Sequence, residues 1–174
     1  TTPVKKDAEA MRLPLKFSPE YQQLSKDWLL SKQQFLSSYC QYQKKLKSIS
    51  DFKEKNALWV EKADFVSSQP DKILALDNSS STADVVHISS FANSYKKPKF
   101  YLPMIVFLNE QACVLEGAWN YWSQAKPANQ NQYSAVEGLL EIPATTKYIL
   151  LYTPDKELKA NLPLQNYGAL LIEK

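Results

Sequence analysis

The sequence predicts an α+β protein made mainly of β-structure, with an N-terminal amphipathic α-helix on an antiparallel β-sandwich of jelly-roll or immunoglobulin-like type. Short apolar runs rich in β-branched and aromatic residues recur in the second part of the chain, about every 8–12 residues. A stripe of apolar residues at helical spacing precedes them. The chain has 174 residues, of which 44% are hydrophobic and 22% charged, so it can bury a globular core.

The first elements are an irregular tail over residues 1–18 and a helical segment over residues 19–56. The tripeptide Ser18-Pro19-Glu20 is a helix start, with a capping serine, a proline at the first helical position and an early acid. A helix is predicted over residues 19–48. Its apolar stripe contains Tyr21, Leu24, Trp28, Phe35, Tyr39, Tyr42, Leu46 and Ile49. We expect the stripe to pack on the chain's own sheet or on a second subunit; a partner-binding or membrane-surface helix is the alternative.

The β-sandwich is predicted over residues 57–174. Strands are expected at residues 58–60, 65–66, 73–76, 85–91, 101–108, 112–115, 119–122, 135–142, 148–153 and 169–172. Because side chains alternate along a strand, Val86 and Ile88 should share one face and His87 should lie on the other. Pro103 cannot donate to a ladder, so its strand should be an edge, bulged, or begin after it.

Charge and glycine content argue against several classes of partner. The net charge is +3, and Arg12 is the only arginine among 21 basic residues. Nucleic-acid binding usually depends on arginine forks, so no nucleic-acid partner is expected. The sequence has three glycines, and their spacing matches neither a dinucleotide-binding motif nor a P-loop motif. No cofactor is therefore predicted. No apolar run approaches the roughly 20 residues that span a bilayer, so no transmembrane segment is predicted.

The residue types of a catalytic site are present but not in a catalytic pattern. His87 is the single histidine, and Ser89 and Ser90 follow it without a nucleophile-elbow motif. Glu137 and Glu141 would lie about 13 Å apart on one strand, which is too far for a paired acid and base without help from other strands. The sequence therefore predicts a protein that is not an enzyme, with His87 as an ordinary histidine on a strand face.

The two cysteines, Cys40 and Cys113, are far apart in sequence. They form no C-x-x-C motif and with His87 do not complete a zinc site, so no metal is predicted. In an oxidising compartment they could form one disulfide, contributing about 3–5 kcal/mol by constraining the unfolded chain. In a reducing compartment they would be two small buried apolar residues. The sequence leaves both possibilities open.

The most suggestive binding residues are aromatic. Trp119, Tyr121 and Trp122 are followed by the amide-rich run at residues 129–133, which ends with Tyr133. Aromatic faces beside amide donors and acceptors suit sugar rings, so these three residues are the predicted stacking residues for an oligosaccharide ligand. The alternative is that the rings belong to the core or to an oligomer contact.

Three segments resemble the maltose operon periplasmic protein (MalM) family of Gram-negative bacteria. They are residues 102–111 (LPMIVFLNEQ), 136–143 (VEGLLEIP) and 147–158 (KYILLYTPDKEL), and the likeness covers roughly residues 64–164. The resemblance implies an exported, non-enzymatic envelope protein that is accessory to maltodextrin uptake. It implies a periplasmic location. The sequence begins at Thr1 without an initiator Met, so we expect that a signal segment, or alternatively a lipobox for outer-membrane anchoring, has been removed.

Two functions remain open at this point. The first is the MalM-like accessory role, with an oligosaccharide as ligand. The second is a protein–protein interaction or assembly subunit of a bacterial envelope complex, which would use the predicted helix and a sheet edge as its contacts. The partner would then be an envelope protein or a second copy of the chain.

Overall fold

The computed structural model describes residues 48–60, 73–76, 84–118, 121–152, 163–165 and 167–174. Within these ranges it has twelve β-strands and no helix. In chain order the strands are β1 (Ser48–Asp51), β2 (Lys55–Val60), β3 (Ile73–Ala75), β4 (Asp84–Phe91), β5 (Phe100–Tyr101), β6 (Met104–Leu108), β7 (Val114–Ala118), β8 (Trp122–Lys126), β9 (Ala135–Ile142), β10 (Tyr148–Tyr152), β11 (Leu164–Gln165) and β12 (Gly168–Glu173). The predicted tail over residues 1–18, nearly all of the predicted helix over residues 19–48 and the predicted strand at residues 65–66 lie outside these ranges.

Ten of the described strands form two five-stranded sheets. Sheet 1 has the order β1-β3-β10-β6-β7, and sheet 2 has the order β2-β12-β4-β9-β8. Pairing is antiparallel except between β1 and β3, which run parallel. The two remaining strands, β11 and β5, form a short parallel ladder.

One hydrophobic cluster joins the two sheets. Sheet 1 contributes alternate residues of β3, β6 and β10, and sheet 2 contributes alternate residues of β2, β4, β9 and β12. The cluster includes Leu74, Ile105, Phe107, Ile149, Leu151, Leu58, Val86, Ile88, Leu140, Leu170 and Ile172. Each such side chain contributes about 1.5–3 kcal/mol when removed from water. Because both sheets bury one face in the same cluster, the described residues form a sandwich-like, mainly β arrangement, as predicted. The jelly-roll or immunoglobulin-like type stays a prediction.

Strands begin earlier than the sequence indicated. The predicted boundary at residue 57 is wrong, because β1 and β2 begin at Ser48 and Lys55, inside the segment predicted to be helical over residues 19–56. Asn56 stabilises the turn between them. Its Oδ1 accepts a 2.8 Å hydrogen bond from the Lys53 backbone, and its Nδ2 donates to the carbonyl of Asp51 at 2.7 Å. A buried polar side chain thus links the two sheets where apolar periodicity gives no signal.

The turn before β7 explains two strands that were misplaced in the prediction. The backbone amides of Gln111 and Cys113 donate to Asn109 Oδ1 at 3.0 and 2.9 Å. Ala112 has a φ of 62°, which is typical of a tight turn and not of a strand. The strands predicted at residues 112–115 and 119–122 are therefore displaced to β7 and β8. By contrast, the strand predicted at residues 135–142 coincides with β9, and β6 begins after Pro103.

Candidate functional site

The outer face of sheet 2 is the face turned away from the core. Along β2, β4 and β9 the residues that alternate with core residues point to it, and three large hydrophobic side chains are more than half exposed there. They are Trp59 on β2 at 57%, Val85 on β4 at 54% and Leu139 on β9 at 62%. Single exposed apolar residues are common on protein surfaces. Val85 and Leu139 lie on the neighbouring strands β4 and β9, and Trp59 lies on β2, three strands from β9. This face is therefore the main candidate for a contact surface.

A buried carboxylate lies on the same face. Glu137 on β9 is only 5% exposed, although its side chain does not enter the core between the sheets. Lys126 Nζ on β8 lies 2.9 Å from Glu137 Oε1, and His87 Nε2 on β4 lies 3.4 Å from Glu137 Oε2. Ser89 Oγ on β4 donates a 3.4 Å hydrogen bond to Oε1. We call these four residues the Glu137 cluster.

Sheet register places the members of the Glu137 cluster together. Ser89 lies directly opposite Glu137 in the β4–β9 ladder, and Gln124 lies opposite it on β8. A buried carboxylate costs several kcal/mol unless it is paired and hydrogen-bonded. Lys126 supplies the opposite charge, although its side chain is about half exposed, so that solvent weakens the attraction. The cluster thus holds a buried carboxylate, paired with Lys126, on a face that carries both apolar and charged side chains.

The Glu137 cluster resembles a catalytic arrangement in composition but not in bonding. Ser90 Oγ donates to the carbonyl of Tyr101 at 2.6 Å, and Ser89 Oγ donates to Glu137. Neither bond directs a serine hydroxyl to His87 as general base, which an acyl-transfer site requires. Glu141, the second predicted carboxylate, is exposed. The described residues contain no group of three or more His, Cys, Asp or Glu side chains that could hold a metal ion.

The predicted aromatic binding residues take different positions. Trp119 lies outside the described residues. Trp122 is 4% exposed and belongs to the core between the sheets, so its ring does not face solvent. Tyr121 packs against that core and its hydroxyl donates to the carbonyl of Pro103 at 2.8 Å. The rings of Tyr121 and Trp122 lie 4.6 Å apart. Their use as sugar-stacking residues stays a prediction.

Glycine at position 138 explains how β8 approaches β9. A Cβ at Gly138 would lie 2.1 Å from the carbonyl oxygen of Tyr121, which no side chain can tolerate. The pairing of Trp122 with Gly138 is followed by a register irregularity before Gln124. At this close approach, Trp122 lies in the core between the sheets. The alternation of side chains in a strand predicted at residues 119–122 could not indicate that position.

Tyr133, the last residue of the amide-rich run, forms an aromatic pair with Tyr95, a residue that the sequence did not single out. The rings of Tyr95 and Tyr133 are 4.4 Å apart, and Tyr133 is 40% exposed. In the adjoining turn, the backbone amides of Asn131 and Gln132 donate to Asn129 Oδ1 at 2.8 and 3.0 Å. The place of Tyr133 in this run was the available signal, whereas its contact with Tyr95 needed the fold.

Cys113 is disulfide-bonded. Its predicted partner, Cys40, lies outside the described residues, so the pairing of Cys40 with Cys113 stays a prediction. Cys113 lies between the hairpin turn at Asn109 and the start of β7, at the end of sheet 1 that is remote from β1. Within the described ranges, no helix is long and apolar enough to cross a membrane.

Comparison with known proteins gives one family. The family model described as FilE, C-terminal domain, matches residues 7–170. No curated protein matches the chain significantly. Among solved structures, the pre-peptidase C-terminal domain of a collagenase from Bacillus anthracis is similar, with 11% sequence identity and a TM-score of 0.34. The alignment covers 74% of this chain and 94% of that domain. A TM-score this low supports no inference about fold or function.

Proposed function

This chain belongs to the FilE C-terminal domain family; we propose, from the exposed apolar side chains of sheet 2 and the resemblance to MalM, that it is a non-enzymatic module of the bacterial cell envelope that binds another protein through the outer face of sheet 2. The resemblance to MalM supports the setting, a periplasmic protein anchored at the outer membrane. The partner is an envelope protein that presents apolar side chains. The proposal is supported first by the exposure of Trp59, Val85 and Leu139 on a single face.

The arrangement of polar groups on that face supports a protein partner. Protein interfaces typically have an apolar centre with few charges and a polar rim. At the margin of sheet 2, Lys55 Nζ lies 3.4 Å from Glu173 Oε1 in an exposed ion pair. The buried Glu137 already has Lys126 as its partner, so a docked surface need not supply a compensating charge. Apolar contacts at Trp59 and Leu139 would then supply most of the affinity.

Binding through the predicted helix over residues 19–48 and through a sheet edge is the alternative route for the same function. In the described residues, β8 and β2 each pair with one neighbour, so sheet 2 presents strand edges on which a partner strand can add. A contact through the face depends on side chains, whereas a contact through an edge depends on backbone groups. Side-chain substitutions on the face therefore distinguish the two routes.

The test is quantitative cross-linking of the full chain in its native bacterium, followed by identification of the partner. The variant with Trp59→Ser and Leu139→Ser should recover at least tenfold less of the partner that the unchanged chain recovers. The matched control is Tyr133→Ser, which removes an exposed aromatic ring outside the strands of sheet 2 and should leave recovery unchanged. Equal recovery by both variants would reject the face as the contact surface.

A second candidate, accessory binding of maltodextrin, is favoured by the Tyr95–Tyr133 pair. A partly exposed aromatic pair beside side-chain amides suits the apolar face and hydroxyl rim of a sugar. Calorimetric titration with maltodextrin should then detect binding that Tyr133→Ala abolishes and Trp59→Ala leaves intact. If the unchanged chain binds no maltodextrin, this candidate is rejected and the protein-binding proposal is unaffected.

A further inference from the structure

Two loops meet at the end of sheet 2 where β4 finishes and β9 begins. The first, which we call the lysine loop, contains residues 92–99 and follows β4. The second, which we call the amide loop, contains residues 127–134 and precedes β9. A 2.8 Å hydrogen bond from the Ala92 amide to the Ser134 carbonyl joins the two loops. They therefore form one continuous surface beyond the ends of these strands.

The lysine loop carries a positive charge that no described acid balances. Lys96, Lys97 and Lys99 are exposed, and none of them forms an ion pair with a carboxylate among the described residues. Neither loop contains an aspartate or a glutamate. Lys126, at the border of the amide loop, differs because it is paired with Glu137. Three cations in loops that lack acidic residues favour an anionic ligand.

Hydrogen bonds fix the path of the lysine loop. Asn93 Oδ1 accepts from the Lys99 amide at 3.1 Å, and Asn93 Nδ2 donates to Gln165 Oε1 at 3.3 Å. Ser94 Oγ accepts from the Lys96 amide at 3.2 Å. Because the backbone is held in this way, a ligand at this loop does not lose affinity to the cost of ordering it.

An aromatic pair and a row of amides adjoin these lysines. Tyr95 precedes Lys96 in the lysine loop, and its ring contacts the exposed ring of Tyr133 in the amide loop. The side chains of residues 129–132 are all Asn or Gln, and all are exposed. Aromatic rings pack against the C–H face of a sugar, amides hydrogen-bond its hydroxyls, and ammonium groups attract acidic substituents. The surface thus offers a contact for each part of an acidic sugar.

We propose that the lysine loop and the amide loop bind an acidic oligosaccharide, with the aromatic pair against its rings and the three lysines at its anionic groups. The inference rests on the second candidate function, saccharide binding at the Tyr95–Tyr133 pair, and changes the class of ligand from neutral to acidic. A neutral maltodextrin would contact the rings and the amides but would leave three ammonium groups without a counter-charge.

Calorimetric titration of the full chain with three probes tests the class of ligand. The probes are oligogalacturonate, a chain of acidic sugars; maltodextrin of the same length, which has no charge; and polyglutamate, an anion without sugar rings. Oligogalacturonate should bind about tenfold more tightly than either of the other two. Its affinity should fall steeply between about 0.15 M and about 1 M salt, because the Debye length shortens from about 8 Å to about 3 Å.

Matched substitutions separate the lysine loop from the net charge of the chain. Lys96→Gln combined with Lys97→Gln should weaken oligogalacturonate binding about tenfold. The control combines Lys53→Gln with Lys174→Gln, which removes the same charge from the opposite end of sheet 2 and should leave the affinity unchanged. Tyr133→Ala should weaken oligogalacturonate binding and leave the response to polyglutamate unchanged.

Several outcomes would overturn the proposal. Absence of oligogalacturonate binding would do so, and equal affinity for maltodextrin would return the ligand to the neutral class. Equal affinity for polyglutamate, or equal losses in the two lysine variants, would reduce the site to general charge attraction. The comparison of probes uses the unchanged protein, so it is decisive even if a substituted chain fails to fold. Absence of binding to both saccharides would also reject the second candidate function, whereas the protein-binding proposal for sheet 2 would be unaffected.

Discussion

The two sheets have the same number of described strands, but their outer faces differ in exposure to solvent. In sheet 1, all five residues of β6 are buried, whereas in sheet 2 exposed and buried residues alternate along β2. A continuous apolar strand is typical of a sheet covered on both sides, and an alternating one is typical of a sheet with one free side. The comparison teaches that the continuous apolar run at residues 104–108 forms a strand whose two faces are both buried. The exposed hydrophobic residues of sheet 2 therefore stand out as positions without a cover.

The largest effect is expected from removing the disulfide at Cys113. Cys113→Ser should lower the free energy of unfolding by about 4 kcal/mol, because a disulfide closing a long loop restricts the unfolded chain. Urea denaturation measures this. Cys40→Ser should have the same effect, and the double variant should add nothing further if the two cysteines are bonded to each other. Additive losses would instead show two independent roles.

A matched pair of leucine substitutions compares the two outer faces directly. Leu150→Ala on sheet 1 should cost about 2–5 kcal/mol, because it removes buried methyl groups and leaves a cavity. Leu139→Ala on sheet 2 should change stability by no more than about 0.5 kcal/mol, since its side chain is already in water. Both values come from urea titration of the full chain. Similar losses at both positions would contradict the difference between the faces.

Gly138→Ala tests how sheet 2 holds its outermost strand. The added Cβ would collide with the backbone oxygen of Tyr121, so β8 must move away from β9. Overpacking of this kind typically costs about 1–3 kcal/mol. Hydrogen exchange should show faster exchange in β8 and β9 while sheet 1 is unchanged. An unaltered exchange pattern would mean that β8 is not held by this contact.

The smallest effect concerns the Glu137 cluster. Lys126→Met keeps most of the side-chain volume but leaves the buried carboxylate of Glu137 without its cation, and we expect a loss of about 1–2 kcal/mol. In a Glu137→Gln background the same substitution should cost less than about 0.5 kcal/mol, because no charge remains to be compensated. If the loss is equal in both backgrounds, the lysine acts through packing and not through charge.

Strand positions could largely be predicted from sequence, and turns could not. The β-branched and apolar run of β9 has the predicted bounds, and Val86 and Ile88 share one face of β4 as predicted, which is the buried face. The turn at Asn109 was missed because an alanine, Ala112, adopts a positive φ there without glycine. The early start of β1 and β2 was missed because helical periodicity extended to Ile49 in sequence, whereas pairing with β3 and β12 decides the structure.

The candidate site was less predictable than the fold. Glu137, Lys126 and His87 come from three strands, and only the register of sheet 2 brings them together. Trp122 was predicted to contact a ligand from composition alone, but the close approach at Gly138 directs it into the core. Both positions depend on tertiary structure, because neither strand propensity nor residue spacing indicates which strands become neighbours in a sheet.

Hydroxyl-radical footprinting of the full oxidised chain tests most directly whether one outer face is covered and the other open. Leucines serve as matched reporters, because they share the same intrinsic reactivity. The account predicts that Leu139 on sheet 2 is oxidised many times faster than Leu108 and Leu150 on sheet 1. Comparable oxidation of these three leucines would contradict it, because sheet 1 would then be as open to solvent as sheet 2.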